Sequence, residues 1–125
     1  MLNTEMLTAY VNTYASLDED ALWDSWTERD LEKLVLDTLN KVGCYAYKLP
    51  DKETELILPD LICHYVSENK RQYTTYIELK TPRGRLSKNQ TLSFSNLEQY
   101  CEVIVVKSIK DFMSFLSTIK QRYNS

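Results

Sequence analysis

The order of patterns along this chain predicts an α/β (α+β) fold, a mixed four-stranded sheet flanked by helices. Three observations carry that expectation. Apolar residues recur at helical spacing around residues 4–17, 27–42, 87–100 and 108–119. Shorter runs rich in β-branched residues and tyrosine lie between them, as strands do. The prolines and the two glycines, Gly43 and Gly84, fall in the gaps between these runs, where turns belong. A chain of 125 residues has room for one core.

Taken in order, Met6, Leu7, Tyr10, Val11 and Tyr14 mark an amphipathic helix from Thr4 to Leu17. The acidic turn Asp18-Glu19-Asp20 follows, then Trp23 and Trp26. Residues 1–26 read as an N-terminal helical extension that either covers the core or builds a dimer contact, and residues 27–125 as the domain proper. Thr27 and Asp30 have the spacing of a capping box, and Leu31, Leu34, Val35, Leu39 and Val42 line one helix face up to the stop at Gly43. Cys44 to Leu49 alternates weakly as a strand, and Pro50 to Glu55 is a charged loop in which Asp51, Glu53 and Glu55 read as solvated surface. Leu61 to Val66 and Tyr73 to Lys80 form an antiparallel hairpin around the polar turn Ser67 to Gln72. Thr81 to Leu86 is a loop. Ser87 with Gln90 caps a helix supported by Leu92, Leu97 and Tyr100. Val103 to Val106 is a buried strand, and Ser108 with Asp111 opens a last helix whose Ile109, Phe112, Met113, Leu116 and Ile119 face inward.

Composition narrows the function classes. Hydrophobic residues are 43% and charged residues 26% of the chain, ordinary for a soluble globular protein. The N-terminus lacks a signal-peptide layout and no apolar run approaches a membrane span. Cys44, Cys63 and Cys101 are an odd number among apolar neighbours, which suits small core residues in a reducing cytoplasm. A net charge of −3 argues against coating DNA through bulk electrostatics. The basic residues fit to meet a phosphate backbone are Lys80, Arg83, Arg85 and Lys88. A nucleophile elbow and a phosphate loop are both missing, and Cys63-His64 has no partner pair at zinc spacing.

The most informative residues are Pro59-Asp60 and, on the next strand, Glu78-Leu79-Lys80. Strand side chains alternate, so Glu78 and Lys80 project together while Leu79 enters the core. An aspartate at the head of the neighbouring strand then meets Glu78, a pairing that a divalent cation neutralises. A lysine beside it positions a water or meets a phosphate, so the set reads as metal-dependent phosphodiester hydrolysis. The plainer alternative is a solvated face, since Glu-x-Lys is common on exposed strands. Ile62 and His64 share the face of Asp60, where His64 is either a site-edge base or an ordinary half-buried histidine. Tyr65, Tyr73 and Tyr76 either stack on bases or pack.

With Glu32 on the first core helix, the run Leu58 to Ile62, the run Tyr76 to Ser87 and Gln90, the chain resembles the PD-(D/E)XK nuclease superfamily. More narrowly, it is similar to the small stand-alone VRR-NUC domains of phages and bacteria. The resemblance spans about Asp30 to Leu116. It implies that Asp60, Glu78 and the Leu79 backbone carbonyl hold Mg²⁺ or Mn²⁺, and that Lys80 orients the attacking water. It also implies Glu32 as an outer acid, Gln90 as a support for Lys80 or the substrate phosphate, and Lys48 as a basic position on the preceding strand. Lys48, Arg83, Arg85 and Lys88 are the expected DNA contacts. The implied activity is a Mg²⁺-dependent endodeoxyribonuclease acting on branched or structured DNA such as Holliday junctions, as a homodimer, in the cytoplasm of a bacterium or phage-infected host. Two rivals are a non-catalytic phage-type inhibitor or adaptor on the same scaffold, and a nuclease subunit targeted by a larger protein partner. The usual glycine before Pro-Asp is absent, Leu56-Ile57-Leu58 standing there, and the one expected before the last strand is replaced around Tyr100-Cys101, which bears on loop shape and substrate fit rather than on metal binding.

Overall fold

The computed structural model describes residues 1–17, 27–50 and 57–124. Among them, helices α1 (Thr4–Ala15) and α2 (Glu28–Lys41) precede strands β1 (Tyr45–Lys48), β2 (Leu61–Val66) and β3 (Gln72–Leu79). Helix α3 (Lys88–Leu97), strand β4 (Glu102–Val106) and helix α4 (Ile109–Tyr123) complete the chain. The sheet order is β1-β2-β3-β4, with β1, β2 and β3 antiparallel and β4 parallel to β3. A parallel pair needs a crossover, and α3 supplies it. The architecture is therefore a mixed four-stranded sheet flanked by helices. The turn Asp18-Glu19-Asp20, Trp23 and Trp26, and the acids of the 51–55 loop lie outside the described residues. No helix among the described residues is long and apolar enough to cross a membrane.

One sheet face is sealed. Leu61, Cys63 and Tyr65 of β2, Ile77 and Leu79 of β3 and Val106 join Leu31, Val35 and Leu39 of α2 and Phe112, Leu116 and Ile119 of α4 in one buried cluster. Helix α1 belongs to that cluster too: Leu7 and Tyr14 are buried, and the Tyr14 hydroxyl meets Thr38 Oγ1 at 3.1 Å. Within the chain, this helix packs on the core. Gly43 is required twice here, by a φ of +98° and because a Cβ would stand 2.3 Å from the Met1 carbonyl oxygen. Both predicted capping boxes form, Thr27 with Asp30 on α2 and Ser87 with Gln90 on α3.

Two expectations need correction. Leu92 and Tyr100 do not support α3 from within, being 65% and 84% exposed; Phe94 is the buried residue of that helix. Of the three cysteines, Cys44 and Cys63 are buried, while Cys101 is only half-buried. All three are free.

Two polar devices fasten the sheet. The Arg122 guanidinium at the end of α4 donates to Glu102 at 2.9 and 2.5 Å and to the Tyr65 hydroxyl at 2.6 Å, while stacking over Tyr73. That hydrogen-bonded cation holds the Glu102 carboxyl below the usual range. The second device shields the edge strand. The Asn40 amide donates to the Ala46 carbonyl at 2.9 Å and accepts from the Ala46 N–H at 3.0 Å, acting as one residue of a missing neighbouring strand. It thereby ties β1 to α2 and sets Lys48 against that helix. Asn40→Ala removes both bonds, so a urea melt is expected to show a loss of about 1–2 kcal/mol; an unchanged midpoint would refute the fastening role.

Candidate active site

The carboxylate pair is a product of strand register. Leu61 pairs with Ile77 across β2 and β3, so one step further places Asp60 opposite Glu78 on the same face. Pro59, buried just before the strand, gives up no ladder hydrogen bond because it has no N–H. Asp60 is anchored twice, its carbonyl accepting from the Leu49 N–H at 2.9 Å and its Oδ2 from the Leu79 N–H at 2.8 Å. The N–H and C=O of one strand residue point to the same edge, so the Leu79 carbonyl faces the side on which Asp60 stands. The Leu79 side chain is fully buried on the opposite face.

Glu78 is 3% exposed. Burial, then the charge of Asp60, push its carboxyl up to about 7, against the pull of Lys80. Lys80 Nζ lies 3.4 Å from Glu78 Oε2, and the Gln90 amide donates to the same oxygen at 3.3 Å. Gln90 therefore serves Glu78 rather than Lys80, while its Oε1 accepts from the Ser87 N–H in the capping box. The turn Thr81-Pro82-Arg83-Gly84, closed by the Gly84 N–H on the Thr81 carbonyl at 2.8 Å, redirects the chain from Lys80 toward α3.

A cleft of about 270 Å³ opens over the pair, and Lys48, Asp60, Glu78 and Gln90 line it. Glu32 reaches this group through Lys48, at 3.8 Å. Arg83, Arg85 and Lys88 stand exposed on the loop and helix start that follow Lys80. His64 is not in the cleft: its Nδ1 bonds Thr74 Oγ1 at 2.8 Å and its Nε2 the Tyr47 hydroxyl at 3.3 Å. It is half-buried and held by those two bonds, away from the carboxylate pair. Tyr65 and Tyr73 stack on each other at 5.1 Å, which settles them as packing residues.

The donor set is two carboxylates and a backbone carbonyl, all hard oxygens. No group of three or more His, Cys, Asp or Glu side chains converges among the described residues. Hard oxygens of this kind could hold Mg²⁺ or Mn²⁺, which takes one or two protein carboxylates and keeps several waters. Compared with protein-family models, curated proteins and solved structures, the chain matches none.

Sequence reasoning missed the Glu32–Lys48 ion pair and the bond from Gln90 to Glu78, since neither spacing predicts contact. It also passed over Tyr45 and Tyr47, whose alternation with Ala46 and Lys48 is the signal of an edge strand with an aromatic outer face.

A raised acid has a definite pH signature. Its contribution to stability is fully present below its ordinary value of 4.5 and is lost as pH rises through about 7. In the metal-free fold, ionised Glu78 is disfavoured by its burial and by the charge of Asp60. Glu78→Gln is therefore expected to stabilise the chelator-treated protein at pH 8 by about 1–3 kcal/mol, and to change little at pH 4.5. Paired denaturant melts at the two pH values check this; a less stable variant at pH 8 would contradict it.

Proposed function

We propose that the chain is a metal-dependent endodeoxyribonuclease of the VRR-NUC type within the PD-(D/E)XK superfamily. The observation that carries this reading is a buried acid facing a second acid, with one lysine at 3.4 Å, in an open cleft. A structural ion pair has no need of the second carboxylate, and a solvated face would not be buried. The order of elements also supports the superfamily core: a helix carrying Glu32, an antiparallel hairpin carrying Asp60 and Glu78, then a helical crossover to a parallel strand.

Asp60, Glu78 and the Leu79 carbonyl would hold Mg²⁺ or Mn²⁺. When bound, the cation supplies Lewis acidity toward the phosphate and lowers the pKa of water. Lys80 contributes a fixed positive charge where negative charge grows on the phosphate. Gln90 orients Glu78, and the ion pair with Glu32 keeps Lys48 at the cleft wall, facing the substrate backbone. Arg83, Arg85 and Lys88 extend the cationic surface from that site. With few cations on one acidic domain, a homodimer would engage both strands of a branched substrate such as a Holliday junction.

The adaptor reading draws on the exposed Leu92 and Tyr100, which a protein partner could cover. Cleavage separates the two. With Mg²⁺ or Mn²⁺, wild type is expected to cut at least one of linear duplex, single-stranded, flap and four-way-junction DNA. Asp60→Ala and Glu78→Ala should abolish cutting, and Lys80→Ala should slow it roughly 100- to 1000-fold. Cutting retained by a clean Glu78→Ala preparation would overturn the assignment, and inert wild type would favour the adaptor.

A further inference from the structure

The sheet face that carries Asp60 and Glu78 also carries an aromatic row that the site does not use. Register pairs Tyr47 with Ile62 and Tyr45 with His64, so both tyrosines stand on the face of Asp60. At the ordinary strand rise, Ile62 and His64 lie roughly 7 Å and 13 Å along β2 from Asp60. Tyr47 and then Tyr45 therefore lead away from the carboxylate pair in a line. The rings form a cluster, Tyr45 to Tyr47 at 5.5 Å, Tyr47 to His64 at 5.8 Å and Tyr45 to His64 at 6.3 Å. They are also held: His64 is bonded by the Tyr47 hydroxyl and by Thr74, so Tyr47 and the imidazole are fixed without being buried.

These rings add little to the core. Tyr45 is 70% and Tyr47 40% exposed, while Ala46 between them faces the core. Past the end of β1, where β2 and β3 run on, a cleft of about 290 Å³ opens against Tyr45, His64, Val66, Tyr73 and Thr74, and none of its lining residues is a carboxylate. Met1, Leu2, Gly43 and the core-face Tyr65 also line it, so the cleft sits at the end of the sheet, where the aromatic row begins. Lys48, which follows Tyr47 on the opposite face of β1 and is paired with Glu32, lines the carboxylate cleft where the row ends.

We infer that Tyr47, Tyr45 and His64 form a stacking track for the unpaired bases of a single-stranded tail or gap beside the bond to be cut. The inference rests on the phosphodiesterase reading and adds a substrate feature to it: unpaired nucleotides adjoining the cleavage point. Base–aromatic stacking is tolerant of sequence, so the track selects strand structure rather than base identity.

The test measures binding in chelator, where hydrolysis is silent. Duplex DNA with a short 2-aminopurine tail and the same duplex with blunt ends are titrated with wild type, Tyr45→Ala/Tyr47→Ala and Tyr45→Phe/Tyr47→Phe. Wild type is expected to quench the tail fluorescence and to bind the tailed DNA at least 10-fold more tightly than the blunt duplex. The alanine pair should lose roughly 10- to 100-fold in tailed affinity, and the phenylalanine pair, which keeps the rings, should retain most of it. Equal affinity for tailed and blunt DNA, no DNA binding, or a folded alanine pair that binds like wild type would each overturn the track. A parallel Mn²⁺ titration of wild type separates the two readings. Tail preference without Mn²⁺ uptake or cleavage would remove the hydrolytic site and leave a binding surface, whereas Mn²⁺ uptake and cleavage without tail preference would do the reverse.

Discussion

The pairing register of β2 with β3 is the constraint on which the site depends. Because side chains alternate with a period of two, a slip of one residue would turn Asp60 away from Glu78 and expose Leu61, Cys63 and Tyr65. The apolar demand of the core face thus enforces an unfavourable arrangement on the other face, two acids brought together with one of them buried. The repulsion is small beside the burial of that whole face, so the fold tolerates it. A group that carries its own compensating charge into the cleft would relieve it.

Around that register the rest of the molecule acts as a set of restraints. Helix α2 delivers Glu32 and, through Asn40, fixes the short β1 that carries Lys48 and Tyr47. Helix α3 starts where the turn after Lys80 leaves it, and its capping glutamine bridges helix terminus and buried acid. At the far end of the sheet, Arg122 binds β4, β2 and α4 together through Glu102 and Tyr65. The sheet is therefore pinned by polar contacts at both ends while one face stays partly open. The aromatic row and the carboxylate pair share that face.

Much of this was legible in the sequence where local chemistry decides. Thr27 with Asp30, Ser87 with Gln90 and Gly43 announce helix ends because caps are local hydrogen-bond solutions. The hairpin and the facing of Asp60 and Glu78 follow from alternation, since a strand has only two faces. What escaped depends on long-range packing. Leu92 and Tyr100 fit a helical stripe, yet Phe94 is the buried residue of α3, Leu92 faces solvent and Tyr100 lies exposed beyond the helix end. Neither the Arg122 network nor the Glu32–Lys48 pair can be read from spacing, because each joins side chains set together only by the finished sheet. Tyr45 and Tyr47 were overlooked for a related reason: which strand forms the edge is decided by topology.

In the proposed function, Asp60 and Glu78 together form an oxygen site for a divalent cation. Calorimetric titration of the metal-free protein with Mn²⁺ across pH 5 to 8 tests it most directly. One ion per chain should bind, with affinity rising and proton release falling as pH passes about 7, where Glu78 loses its proton. Asp60→Asn and Glu78→Gln should each abolish the binding. Saturable uptake that is unchanged in both variants, or wild type that takes up no Mn²⁺ at pH 8, would contradict the account.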